Sequence, residues 1–296
     1  MAITHDYRYF KPVSVVETLE LLSKYENSAI LAGGTDLIVD LKEGLTTPDA
    51  VIDIKGLDDL KKIEFKNNRL MVGALVTFTE LLESKVVSEK FPLVMETCKT
   101  IASVGVRNRA TMVGNICSAV PSLDSGPLLF VYEADVLVQS LNGERKIPIS
   151  EWFAAPKMTS LKKNELVTAI SIPLPEIEHA GCYVKLGRYA GEDLAQVGVS
   201  ILVLAQHRYR IAFGAVAPIP VRAKKIEALL NGHKLDDTLI DKAKEVIPAE
   251  ITPISDIRAS EEYRLLMAKV MLERGLKAAH SRLDGRGPEY GKNLLA

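Results

Sequence analysis

Two stretches of this chain have the residue types and spacing to hold a phosphate. The first is Ile30-Leu31-Ala32-Gly33-Gly34-Thr35-Asp36-Leu37, which reads as a strand, a glycine turn and a helix start. The opening amides of a helix have no partner inside it, and the dipole makes that end positive. Glycines let the backbone approach a ligand, so consecutive N–H groups can cradle a pyrophosphate. Thr35 adds a hydroxyl donor or caps the helix. The same residues suit a plain tight turn, and Asp36 opposes a phosphate unless its side chain turns away. The spacing is not G-x-G-x-x-G, which argues against a Rossmann dinucleotide site.

The second stretch runs from Ala110 to Asp124. Thr111, Asn115, Ser118, Ser122 and Asp124 concentrate short hydrogen-bonding side chains, and Gly114 admits close backbone approach. Arg107 and Arg109 lie just upstream, where a solvated surface is their ordinary role. An acid beyond a phosphate loop can accept from ribose hydroxyls. Asp124 equally suits the N-cap of a helix beginning near Pro127. Elsewhere, Glu192-Asp193 beside Arg188 reads as a solvated acidic loop. The five histidines are scattered without paired-ligand spacing. With no evident nucleophile, base or metal cluster, the two loops fit a dinucleotide clamp better than a hydrolytic site.

The elements that must position these loops follow from periodicity. Val15, Leu19 and Leu22 mark a helix over Ser14–Tyr25, and Ala29–Ala32 and Val51–Ile54 are short strands. Arg69–Gly73 is a strand; Thr77–Ser84 and Pro92–Ser103 are helices, with Gly105 just past the second. Val106–Gly126 is turn-rich, and Pro127–Ala134 is helical. Asp135–Ser140 and Lys146–Ile149 form a hairpin around Asn142-Gly143. Glu165–Pro173 is a strand, and Pro173 and Pro175 mark a boundary. Three strands then cover 181–186, 197–205 and 208–216. Helices follow over 221–230, 235–246 and 260–280, the last capped by Ser260.

The 296 residues have a formal net charge of −1 and are 47% hydrophobic, enough for a sizeable core and no basic field to attract nucleic acid. No apolar run is long enough to span a membrane, and MAITHDYRYFKP does not read as a signal peptide. Cys98, Cys117 and Cys182 lack C-x-x-C spacing, which excludes an iron–sulfur or zinc site in this chain and suits a cytoplasmic setting.

At these loops the sequence resembles the FAD-binding subunits of molybdenum hydroxylases, the xanthine, nicotinate and carbon monoxide dehydrogenase family. The resemblance rests on ILAGGTDL (30–37), VIDIKGLDDL (51–60), VGALVTFTEL (72–81), VRNRATMVGNICSAVPSLDSGP (106–127), YVKLGRYAGEDLAQV (183–197), IAFGAVAPIPVRA (211–223) and RASEEYR (258–264), in the family's order. It implies an α+β chain: a vanillyl-alcohol-oxidase-type FAD-binding domain over 1–175, with α/β subdomains of about 1–56 and 57–175. A C-terminal α+β domain over 176–283, an antiparallel sheet with helices, and a tail over 284–296 complete it.

The resemblance also implies roles. Ala29, Ile30, Leu31, Ala32, Gly33, Gly34, Thr35 and Asp36 would bind the FAD pyrophosphate, mostly through backbone amides. The segment of Ala110, Thr111, Met112, Val113, Gly114, Asn115 and Ser118 would continue the cradle, and Asp124 would hold ribose. Ile101 would touch the cofactor, Leu166 or Val167 would line the adjacent pocket, and Lys185 would place a cation near the flavin. Asp193 would lie on the loop covering the ring. Val113 departs from the family's usual glycine, and a β-branched residue is costly at positive φ.

The implied complex is a hetero-oligomer that can itself dimerise, with a molybdopterin-binding subunit and a [2Fe-2S] subunit. FAD in this chain would pass electrons on to NAD+ or NADP+, and the substrate class is an N-heteroaromatic such as xanthine or nicotinate. The missing cysteine-rich insert sets the chain apart from the 4-hydroxybenzoyl-CoA reductase branch. Two other readings stand beside this one: a non-catalytic scaffold subunit and a stand-alone flavin oxidoreductase of the same fold.

Overall fold

The computed structural model describes residues 3–189, 193–292 and 294; Glu192 of the acidic pair lies outside them. A three-stranded sheet opens the chain. Its elements are β1 (Arg8–Phe10), α1 (Val15–Lys24), β2 (Ser28–Leu31), α2 (Leu37–Glu43) and β3 (Ala50–Asp53). β1 and β2 both pair with β3 in parallel, order β1-β3-β2. Parallel neighbours need crossovers, and α1 and α2 supply them. Ser14 caps α1 by accepting from the Glu17 amide, and Leu19 and Leu22 are buried as their spacing predicts. α2 therefore starts where the glycine pair leaves the carboxyl end of β2.

A five-stranded antiparallel sheet follows, order β4-β5-β10-β6-β7. β4 (Ile63–Lys66) and β5 (Arg69–Gly73) lead into the helices α3 (Phe78–Glu83), α4 (Lys85–Lys90), α5 (Pro92–Lys99), α6 (Val104–Arg107), α7 (Met112–Ser118) and α8 (Ser125–Tyr132). The hairpin of β6 (Asp135–Ser140) and β7 (Gly143–Pro148), the small pair β8 (Phe153–Ala155) and β9 (Met158–Thr159), and β10 (Leu166–Pro173) complete the unit. The hairpin turn sits at Asn142-Gly143 as read, but its second strand starts at Gly143, because an exposed strand shows no apolar alternation.

Two corrections fall in the helical layer. α5 stops at Lys99 rather than Ser103, and Gly105 lies within α6 instead of ending α5. The chain breaks there because Ala102 takes a left-handed φ of 38° and the Arg107 guanidinium donates to the carbonyls of Ile101 and Ala102, both at 2.7 Å. The stretch expected to be turn-rich holds the end of α6, all of α7 and the start of α8, where glycine, asparagine and serine interrupt the apolar pattern.

The remaining sheet is antiparallel, order β11-β12-β13-β14, built from β11 (His179–Leu186), β12 (Val197–Leu204), β13 (Arg208–Gly214) and β14 (Val221–Arg222). β12 is buried along its whole length because α11 (Glu261–Leu283) covers one face and α8 the other. The expected helix over 221–230 begins later, as α9 (Lys224–Leu230), since Val221 and Arg222 pair with Phe213 and Ala212. α10 (Asp237–Val246) packs against α9 and α11.

Tyr290 and Gly291 of the tail are held by the chain itself. The Gly291 amide donates to Glu96 Oε1 at 2.9 Å, and the Tyr290 ring stacks 4.0 Å from the Arg282 guanidinium. Arg282 in turn pairs with the buried Glu96 at 2.7 Å.

Candidate functional site

The three sheets meet around a cleft of about 800 Å³, toward the upper end of the range of cofactor sites. One wall is the β2–α2 turn, where Gly34 takes φ 80°. The N–H groups of Gly33, Gly34, Thr35 and Asp36 donate to no acceptor among the described residues. Facing them is the start of α7. Thr111 caps it by accepting from the Gly114 amide at 2.9 Å, which leaves the Val113 amide without an acceptor among the described residues. A Cβ on Gly33 would lie 2.1 Å from the Arg109 carbonyl oxygen, so only glycine lets the two helix starts come together.

Side chains complete the cradle. Asp36 makes no capping bond. Its carboxylate instead accepts from the Ser118 hydroxyl at 2.5 Å across the cleft, which turns its charge aside from the free amides. Ser125 donates to the Asn115 side-chain oxygen at 2.5 Å, fixing that amide with its NH2 still available. Val113 is helical and has no positive φ, so the departure from glycine costs no backbone strain. Cys117 also lines the cleft, but burial pushes its thiol up to about 12, so it stays an inert thiol.

The far end of the cleft is charged and buried. Asp124 stands at the N-cap of α8 yet makes no capping bond. Its carboxylate accepts from the Tyr183 hydroxyl at 2.6 Å and from Lys185 Nζ at 2.8 Å. Burial pushes this carboxyl above its ordinary range, while Lys185 and Tyr183 pull it back. Lys185 also donates to the Thr100 carbonyl at 2.9 Å. An ammonium has three N–H donors, so one remains for a ligand. The ribose role expected of Asp124 and the ring role expected of Lys185 thus fall at one place.

The cleft gathers Ile30, Ala32 to Asp36, Ile101, Ala110, Thr111, Val113 to Asn115, Ser118, Asp124, Leu166, Val167 and Lys185, together with Asp193. Ala29, Leu31 and Met112 lie off it. Strand alternation turns Ala29 and Leu31 to the other face from Ile30 and Ala32, and Met112 is fully buried in the core. Sequence reasoning missed Leu161, Lys162 and Lys163, which line the cleft from the loop before β10. It also missed Arg107, half-buried beneath Ile101 rather than solvated. Two adjacent lysines look like surface, and nothing local marks an arginine whose partners are backbone carbonyls.

Replacing Arg107 with Ala should destabilise the fold by about 2 kcal/mol, the scale of a charged hydrogen bond to backbone. FAD affinity should fall with it, because the left-handed turn that presents Ile101 loses both guanidinium bonds. Urea unfolding and a flavin titration read both, and unchanged affinity would show that the turn holds unaided.

FAD suits these groups. Amides on both walls that are unpartnered among the described residues suit a pyrophosphate, Asn115 and Lys185 keep donors for a ligand, and apolar Ile101, Leu166 and Val167 line the remainder.

Comparison with known proteins agrees. Residues 5–175 match the family described as the FAD binding domain in molybdopterin dehydrogenase, and residues 182–279 match the CO dehydrogenase flavoprotein C-terminal domain. The glyceraldehyde dehydrogenase medium chain of Sulfolobus acidocaldarius is 32% identical over 92% of this chain and 98% of that protein. A putative xanthine dehydrogenase FAD-binding subunit of Escherichia coli is 28% identical over 94% and 97%. Carbon monoxide dehydrogenase from Hydrogenophaga pseudoflava contains a chain that superposes with a TM-score of 0.91 at 31% identity, covering 95% of this chain and 99% of that one. With its helix starts, its flavin-sized cleft and these relatives in agreement, the chain belongs to the molybdenum hydroxylase family, as an FAD-binding medium subunit.

Proposed function

We propose that this subunit takes electrons from the iron–sulfur clusters of a [2Fe-2S] partner and delivers them to NAD+ or NADP+, while a molybdopterin-binding partner oxidises an N-heteroaromatic such as xanthine or nicotinate. When bound, FAD supplies the exchange between single-electron and paired-electron carriers. The observation that carries the reading is the facing pair of helix starts with free amides, joined by one cleft to the buried Lys185–Asp124 pair.

The chain's own residues bind and orient. The amides of Gly33 to Asp36, with that of Val113, would hold the pyrophosphate. Asp36 and Ser118 tie the two walls together. Lys185 would present its third N–H to the flavin end, and Ile101, Leu166 and Val167 would exclude water there. Asp193 shapes the adjoining loop: its carboxylate accepts from the amides of Arg188 and Leu194. Of the division into 1–175, 176–283 and a tail over 284–296, the first boundary draws support from the change from the five-stranded sheet to the four-stranded one between β10 and β11.

The substrate preference draws on the xanthine dehydrogenase name of the Escherichia coli relative. No helix among the described residues is long and apolar enough to cross a membrane, which accords with a cytoplasmic complex.

The acceptor is testable on the FAD-loaded chain alone. Anaerobic NADH or NADPH should bleach the visible flavin band by reversal of the physiological direction, and the more effective nucleotide identifies the acceptor. If neither bleaches a flavin that dithionite reduces, NAD(P)+ is not the acceptor.

A further inference from the structure

We propose that Tyr183 is a positioning residue for the flavin end of the cleft: its hydroxyl holds Asp124 so that Asp124 aims the Lys185 ammonium at the cofactor. The inference rests on the reading that Lys185 meets FAD.

Tyr183 and Lys185 are two apart on β11 and therefore share one face, the one turned toward α5 and away from α11. Each takes a different oxygen of Asp124, Oδ1 at 2.6 Å from the phenol and Oδ2 at 2.8 Å from the ammonium. The carboxylate is thus clamped from both sides and cannot rotate without breaking a buried bond. Burial and the neighbouring Asp124 charge push the phenol well above its ordinary range, so it remains a donor throughout the physiological range.

The clamp is itself anchored. The Tyr183 amide donates to Glu96 Oε2 at 2.8 Å, and Glu96 is the carboxylate that Arg282 and the Gly291 amide hold. The sheet also makes room for the phenol. Gly198 lies opposite Lys185 on β12, and a Cβ there would sit 2.7 Å from the Tyr183 hydroxyl oxygen. Any other residue at this position would push the phenol off Asp124.

The test compares the full-length wild type with Tyr183→Phe, Lys185→Met and the double variant. FAD affinity of the apoprotein, the spectrum of bound FAD and its midpoint potential are measured. Tyr183→Phe should weaken FAD about tenfold, the scale of one buried hydrogen bond to a charged group. It should move spectrum and potential in the same direction as Lys185→Met, but less, and add nothing in the Lys185→Met background. A role confined to stability would lower the melting temperature and leave the bound-flavin spectrum and potential unchanged.

If Tyr183→Phe does not fold, Gly198→Ala displaces the phenol without removing it and should shift the same readouts. A Lys185→Met effect without a Tyr183→Phe effect overturns the positioning role. No effect of Lys185→Met overturns the underlying placement of Lys185 at FAD, and the proposal with it.

Discussion

Gly33→Ala should yield a chain that no longer retains FAD and melts at lower temperature. The added methyl would stand 2.1 Å from the Arg109 carbonyl oxygen and 2.8 Å from its carbon. Both are backbone atoms, so the α6–α7 connection must move away from the β2–α2 turn. Overpacking of this kind costs about 1–3 kcal/mol in stability. Its effect on binding is larger, because the free amides of Gly33 to Asp36 and that of Val113 no longer converge on one anion. Gly105→Ala is the control. A Cβ there meets only the Ser103 hydroxyl oxygen at 3.9 Å, and alanine favours the helix, so retention of FAD and unchanged or slightly raised stability are expected. Flavin titration and thermal unfolding of the two variants decide the point. Normal flavin binding by Gly33→Ala would show that the walls do not act together.

Asp124→Ala should damage both stability and binding. The substitution leaves the Lys185 ammonium, nearly buried, with the Thr100 carbonyl alone, and leaves the Tyr183 hydroxyl without its acceptor. Removing one partner of a buried pair costs about 3–5 kcal/mol. FAD affinity should drop about tenfold to a hundredfold as Lys185 swings from its aim. The expectation differs from that of a helix cap. Asp124 makes no bond to an α8 amide, so a loss of about 1 kcal/mol with intact binding, the mark of a lost cap, is not predicted. Asp124→Asn separates charge from hydrogen bonding: an amide can still accept from Tyr183 but no longer balances Lys185. Wild-type FAD affinity in Asp124→Ala would remove the pair from the site.

What could be read from the sequence was local. Ile30 to Leu37 announces a strand, a glycine turn and a helix in one short run, and the structure has all three. The ends of Gly44-capped α2 and Ser260-capped α11 fall where the cap residues stand. Short elements with poor helix formers escaped: α6 and α7 together decide the second wall, yet α6 is a single turn and α7 carries Gly114, Asn115 and Ser118 among its apolar residues. Interactions across sequence distance escaped for a different reason. Asp124 with Lys185, Asp36 with Ser118 and Glu96 with Arg282 are each joined only by the fold, and no residue in these pairs carries a local sign of its partner. Family resemblance brought Asp124 and Lys185 into view separately, but not their contact.

The tail illustrates the same limit. Tyr290 and Gly291 lie in a polar, glycine-rich stretch that reads as mobile or partner-bound. Their anchor, Glu96, is a buried carboxylate on α5 that only the packing of α11 against β11 brings near.

The measurement closest to the central claim is the cofactor content of the purified chain after incubation with FAD. The account predicts a flavin spectrum, one FAD released per chain on denaturation, and loss of both in Gly33→Ala. A wild-type chain that stays colourless with FAD in excess would contradict it.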